Sequence, residues 1–135
     1  MPTPRKIIID TDPGIDDSLA ILLALASPEV QVEALTVVSG NCAVEEGVKN
    51  ALSVLELAGA ARVPVAQGLR LPLVQPLLVA PETHGETGIG YARLPPPKTQ
   101  PTSQHAVQLL IEKIMGAPGE ITVVAIGPLT NLALA

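Results

Sequence analysis

Ile7-Ile8-Ile9-Asp10-Thr11-Asp12-Pro13-Gly14-Ile15-Asp16-Asp17 runs from a β-branched apolar triplet, through a break, into a second acidic pair. A continuous apolar run of this kind predicts a strand buried on both faces. Pro13-Gly14 ends it, and Asp16 or Asp17 is placed to cap a following helix over 18–26. That helix is apolar nearly all round, which predicts deep burial, and Ser27-Pro28 stops it.

Outward from this stretch the alternation repeats. Val32, Ala34, Leu35, Val37 and Val38 mark a second strand over 30–38, and Ser39-Gly40-Asn41 turns the chain. Val44, Val48, Ala51, Leu52, Leu55 and Ala58 then recur at helical spacing. Glu45, Glu46, Lys49, Asn50, Ser53 and Glu56 fall on the other face, and Gly59 is placed to end the helix. Residues 63–66 read as a short third strand. Between Pro64 and Pro101 lie eight of the fourteen prolines, a density that excludes long helices and central strands. So long a connection inside a compact domain is usually functional.

Ser103 is placed to cap a third helix with Ala106, Leu109, Leu110 and Ile114 on its buried face. A fourth strand follows over 120–126, then Gly127-Pro128, then a helix starting near Leu129. Strand and helix alternating in this way predict an α/β, Rossmann-like fold, a mainly parallel β-sheet flanked by helices. Residues 1–135 read as a single domain of ordinary size, with no internal repeat. The sequence stops in the first turns of an apolar helix with no cap or polar tail, so the expectation is a truncated chain or fragment.

Composition narrows the function. Hydrophobic residues reach 47% with no Phe or Trp, so the core must be aliphatic. Charged residues are only 16%, which predicts elements buried on several sides or surface that something else covers. A net charge of −5 with no basic stripe argues against nucleic acid as partner and against an anionic membrane surface. The single cysteine, Cys42, excludes an internal disulfide, fits a reducing cytoplasm and reads as a small buried hydrophobe. The apolar stretches are too short for a signal peptide or a membrane span.

The chemistry gathers at the end of the first strand. In open α/β sheets ligand sites form outside the carboxyl ends of strands, where Asp10, Asp12, Asp16 and Asp17 fall. A single Asp there is usually a cap or a turn residue. Four together repel one another unless something neutralises them, and a hard divalent cation with oxygen ligands does so. A calcium-binding helix–loop–helix is excluded, because counting from Asp10 its required Gly and Glu positions hold Ile15 and Ile21. A haloacid-dehalogenase-like phosphatase, with Asp10 as nucleophile, is the alternative enzyme. Its motif normally continues with Gly and then Thr or Val, where this chain has Pro13-Gly14-Ile15.

The segment from Asp10 to Asp17 resembles the N-terminal motif of the inosine–uridine-preferring nucleoside hydrolase family. Val38-Ser39-Gly40-Asn41, His84-Gly85-Glu86-Thr87-Gly88 and Ile126-Gly127-Pro128-Leu129-Thr130-Asn131 resemble its later landmarks, in the same order. The resemblance implies an enzyme of nucleoside salvage that hydrolyses the N-glycosidic bond of ribonucleosides, using one Ca2+ ion. It implies Asp12 as metal ligand and general base, Asp17 as a ligand through both oxygens, and Asp10 as a metal or supporting residue. The main-chain carbonyl of Ile126 would complete the metal ligands in this chain. Asp16 and Asn41 would bind ribose, and His84 would line the nucleobase side. His105 reads instead as an exposed helix residue. Family members are about twice this length and associate into homo-oligomers. Their second half supplies a further metal-binding Asp and more ribose contacts, which implies little turnover by this chain alone. A non-catalytic remnant that binds calcium or ribose is the other alternative.

Overall fold

A computed structural model describes residues 3–135. Four strands, β1 (Arg5–Thr11), β2 (Val30–Val37), β3 (Val65–Gln67) and β4 (Ile121–Ala125), form one parallel sheet in the order β3-β2-β1-β4. Five helices accompany them: α1 (Ile15–Ala26), α2 (Val44–Leu57), the short α3 (Pro81–His84), α4 (Ala106–Gly116) and α5 (Thr130–Leu134). The chain is therefore α/β, as its alternating pattern predicts.

Period-two alternation along β1 divides the core. Ile7 and Ile9 pack with Ile21 of α1 and with Val48, Ala51, Leu52 and Leu55 of α2. Ile8 faces the other way, onto Ala106, Leu109 and Leu110 of α4. Each fully buried side chain of this size contributes roughly 1.5–3 kcal/mol, so the two small clusters clamp β1 from both sides. The same alternation continues into the polar end of the strand. Thr11 turns towards α1, and Asp10 turns towards α5.

Several expectations need correction. Helix α1 begins at Ile15 rather than 18, with Asp16 and Asp17 in its first turn, and Asp17 caps it from within by accepting from the Gly14 N–H. Nor is it deeply buried: Asp17 and Ile21 are, whereas Leu19 and Leu23 are 63% and 69% exposed. At 3.6 residues per turn those two leucines share a stripe opposite Ile21, and no described element covers it. On α2, Asn50 and Ser53 are buried rather than solvated, because the proline-rich connection lies over them: Asn50 bonds Thr87 and Ser53 bonds Pro95. That connection carries α3 and is otherwise irregular. Glu56 anchors its far end, accepting from the Lys98 and Thr99 amides and the Thr99 hydroxyl at 2.7–2.8 Å. Helix α4 is capped by His105, whose ring nitrogen accepts from Val107 N at 3.3 Å, and not by Ser103.

Strand β4 lies at one edge of the sheet, with Val124, Ile126 and Leu129 exposed around it. Among the described residues no helix is long and apolar enough to cross a membrane.

Candidate active site at the strand ends

Parallel strands bring their carboxyl ends to one rim, and the acidic motif leaves β1 there. Asp10 is still within the ladder, opposite Thr36 of β2 and Ala125 of β4. Its Oδ1 accepts from the Thr36 hydroxyl at 2.6 Å and from Asn131 Nδ2 at 2.9 Å. Oδ2 is buried and, among the described residues, has no hydrogen-bond partner. Burial pushes the Asp10 carboxyl above the usual carboxylate range, against the lowering effect of those two bonds. A fully buried, doubly held carboxylate is badly placed to attack a phosphate ester, which removes the main support for the phosphatase alternative.

Asp12, two residues on, has left the strand and is 6% exposed. Asn41, at the turn after β2, bonds it twice: its N–H donates to Asp12 Oδ2 at 2.8 Å, and its Nδ2 to the Asp12 carbonyl at 3.0 Å. The same Nδ2 is 3.3 Å from Asp17 Oδ2. Asp17 also accepts from the Thr11 hydroxyl at 2.6 Å and from Gly14 N at 3.3 Å. Asp12 and Asp17 are thus tied to one asparagine. Burial pushes the Asp12 carboxyl up to about 6, the Asn41 amide opposes this, and the charges of Asp17 and Asp16 add to it.

Backbone crowds closely around Asp12. A Cβ on Gly40 would collide with its Oδ2, and one on Gly127 would come within 2.8 Å of its Oδ1. Glycine at both positions is therefore a steric requirement of the carboxylate's placement. Ile126 and Gly127 both donate their N–H to the Asp10 carbonyl, at 2.9 and 3.3 Å. This extension of the β4 ladder carries residues 126–127 up against Asp12.

His84 arrives from the proline-rich connection at the end of α3. Its Nδ1 accepts from Ile15 N, at the first turn of α1, at 3.2 Å and lies 3.9 Å from Asp16 Oδ1. Asp16 itself is 83% exposed. The structure therefore gathers Asp12, Asp16, Asp17, Asn41, His84 and the 126–127 backbone at one rim, with Asp10 in the layer beneath. Among the described residues no three His, Cys, Asp or Glu side chains are grouped to hold a metal ion unaided. The donors on offer are two carboxylates and a neighbouring main-chain segment. Cys42, buried next to Asn41, has its thiol pushed up to about 11 by burial and by the charges of Glu46, Asp12 and Asp17. It stays protonated at neutral pH and is inert as a nucleophile.

Sequence reasoning assigned no role to Asn131, Thr36 or Thr11. Asn131 is 0% exposed and bonds Asp10, the Val37 carbonyl and the Leu69 amide. Its signal is its place in the stretch from Ile126 to Asn131 at the start of the last helix. Thr11 and Thr36 had none, since a threonine in a strand is ordinary.

The family model described as "Inosine-uridine preferring nucleoside hydrolase" matches residues 7–135. The chain is 49% identical over 132 residues to Uridine nucleosidase 1 of Arabidopsis thaliana, covering 97% of this chain and 39% of that protein. It is also 49% identical over 134 residues to the inosine-uridine preferring nucleoside hydrolase of Leishmania major, covering 98% and 43%. A solved plant nucleoside hydrolase, the PpNRh1 enzyme, superposes with a TM-score of 0.92 at 47% identity, covering 97% of this chain and 42% of that one. The purine-preferring ribonucleoside hydrolase from Gardnerella vaginalis also gives 0.92, at 36% identity, covering 97% and 43%. The chain thus spans about two-fifths of the length of these relatives.

Proposed function

The chain belongs to the inosine-uridine preferring nucleoside hydrolase family, and from that premise we propose that it serves the hydrolysis of ribonucleosides to free base and ribose. The observation that carries this reading is the shared asparagine: Asn41 holds Asp12 and Asp17 side by side at the strand ends. Such a rim suits a positively charged ring. Cleavage of a glycosidic bond passes through an oxocarbenium-like state, which paired carboxylates stabilise.

The donor set fits Ca2+ in kind, being all oxygen and acidic. Asp12 and Asp17 would hold the ion with the carbonyl of Ile126, and Asp10 would support them from beneath. Water, the sugar diol or further protein would have to fill the remaining positions, since calcium takes about 6–8 oxygens. A bound divalent cation would supply charge that orients the diol and makes a nearby water more acidic. Asp12 then acts as general base. Its Oδ2 is held by the Asn41 amide, which leaves Oδ1 to take the proton as the water oxygen adds to the anomeric carbon, and the C–N bonding pair departs with the base, which takes up a proton from solvent. Asp16 and Asn41 bind ribose hydroxyls, and His84 faces the base. Homo-oligomerisation and the cytoplasm complete this reading, the latter supported by a lone, protonated cysteine.

The test is calcium titration by calorimetry of the 135-residue chain and its Asp12→Asn and Asp17→Asn variants. Binding by the parent that is lost in both variants is the expected result. No binding by the parent, or equal binding by all three, contradicts the metal site. Turnover of uridine or inosine by this chain alone is expected to be slight, and brisk cleavage would contradict that part.

A further inference from the structure

Asn50 belongs to neither the carboxylate rim nor the loop that faces it, yet it touches both. It lies on α2 and is 4% exposed. Its Nδ2 donates to the Thr87 carbonyl at 2.7 Å and to the Pro13 carbonyl at 3.3 Å. Pro13 belongs to the acidic motif, and Thr87 to the segment that carries His84. We propose that Asn50 is a positioning residue: its two N–H groups staple the 84–90 loop to the acidic motif and so hold His84 over the Asp12–Asp17 rim.

Three features support this. An amide side chain has two donors on one nitrogen, and here both are spent on carbonyls from segments 37 residues away in either direction. The loop backbone at Gly88 packs closely against the staple. Gly88 has φ +84°, and a Cβ there would come within 3.0 Å of Cys42 Sγ, 3.1 Å of Asn50 Nδ2 and 3.3 Å of the Pro13 carbonyl. The loop is also internally braced, with Gly88 N donating to the Gly85 carbonyl at 3.2 Å and Gly90 N to the His84 carbonyl at 2.6 Å. A braced loop moves as one piece, so a staple at Thr87 fixes His84 three residues earlier. The His84 Nδ1 bond from Ile15 N is the far end of that piece. It requires a bare Nδ1 and places the ring proton on Nε2.

Only the loop's purpose depends on the proposed nucleoside site. The staple is read without metal or nucleoside, so its failure and the failure of calcium binding are separate results. The test is amide hydrogen exchange at Gly88 and Gly90, together with the His84 imidazole nitrogen shifts, in the parent chain and in Asn50→Asp. Aspartate keeps the volume and loses both donors. Loop exchange should accelerate at least about tenfold, the effect of losing two hydrogen bonds of ordinary net strength. The Nδ1 signal should move as its bond to Ile15 is released, while the β1 amides keep their parental rates. Unchanged loop exchange overturns the proposal. So does acceleration of loop and β1 together, because Asn50 would then be a general structural residue. If Asn50→Asp does not fold, Gly88→Ala attacks the contact from the loop side, with the same supporting and overturning outcomes.

Discussion

Asn41 grips Asp12 at both ends, its main-chain N–H on the carboxylate at 2.8 Å and its side-chain amide on the Asp12 carbonyl at 3.0 Å. One residue thereby fixes where the carboxylate points and where the backbone beneath it runs. Residues that orient metal ligands typically tune affinity by about 10–100-fold. Asn41→Ala keeps the main-chain bond but removes the side-chain amide from the Asp12 carbonyl and from Asp17 Oδ2, and is expected to weaken calcium binding about tenfold while leaving far-ultraviolet circular dichroism intact. Parental affinity in a calorimetric titration would show that the grip is incidental.

Asp12 also links site and stability. Its folded-state value is raised, from 3.8 to about 6, chiefly by burial. Protonation therefore favours the fold: this contribution is fully present below pH 4 and is lost as pH rises through about 6. In chelator at pH 7.5 the ionised carboxylate is a liability of about 3 kcal/mol, which Asp12→Asn removes. The variant should melt above the parent at pH 7.5, and the gap should close near pH 4. A variant that melts lower at pH 7.5 would contradict the burial cost.

The glycines at 40 and 127 close on the same carboxylate from two loops. Alanine at either must displace Asp12 or the loop, a strain of about 1–3 kcal/mol. Gly127→Ala is expected to lower both the melting temperature and calcium affinity. A loss of stability with parental calcium affinity would mean that the strain relaxes away from Asp12.

Asn131 holds the layer beneath. Asn131→Ala would leave the part-buried Leu69 N without its acceptor and the fully buried Asp10 with one bond fewer. The expected loss is about 3 kcal/mol in urea unfolding, as for a buried polar network broken on one side. A loss below about 0.5 kcal/mol would place the support of Asp10 elsewhere.

Much of this organisation is legible in the residues alone. The Ile7-Ile8-Ile9 run has no polar face to offer solvent, and it is buried on both sides. The crowding of Asp10 to Asp17 marks the strand end where the rim forms. What the sequence conceals is mostly long-range. Helical periodicity cannot reveal that a loop 37 residues away covers Asn50, so a buried staple looks like a solvated residue. Nor does it reveal that Leu19 and Leu23 face away from every described element. Within the acidic cluster, spacing alone does not separate Asp10 in the ladder from Asp12 at the rim. Strand register does, by setting Asp10 against Thr36 and Ala125.

The most direct measurement is a crystal structure of this chain grown with calcium, with the ion located by its anomalous signal. The account predicts one ion about 2.3–2.6 Å from carboxylate oxygens of Asp12 and Asp17 and from the Ile126 carbonyl. An ion bound elsewhere, or an Asp12–Asp17 rim empty at saturating calcium, would contradict it.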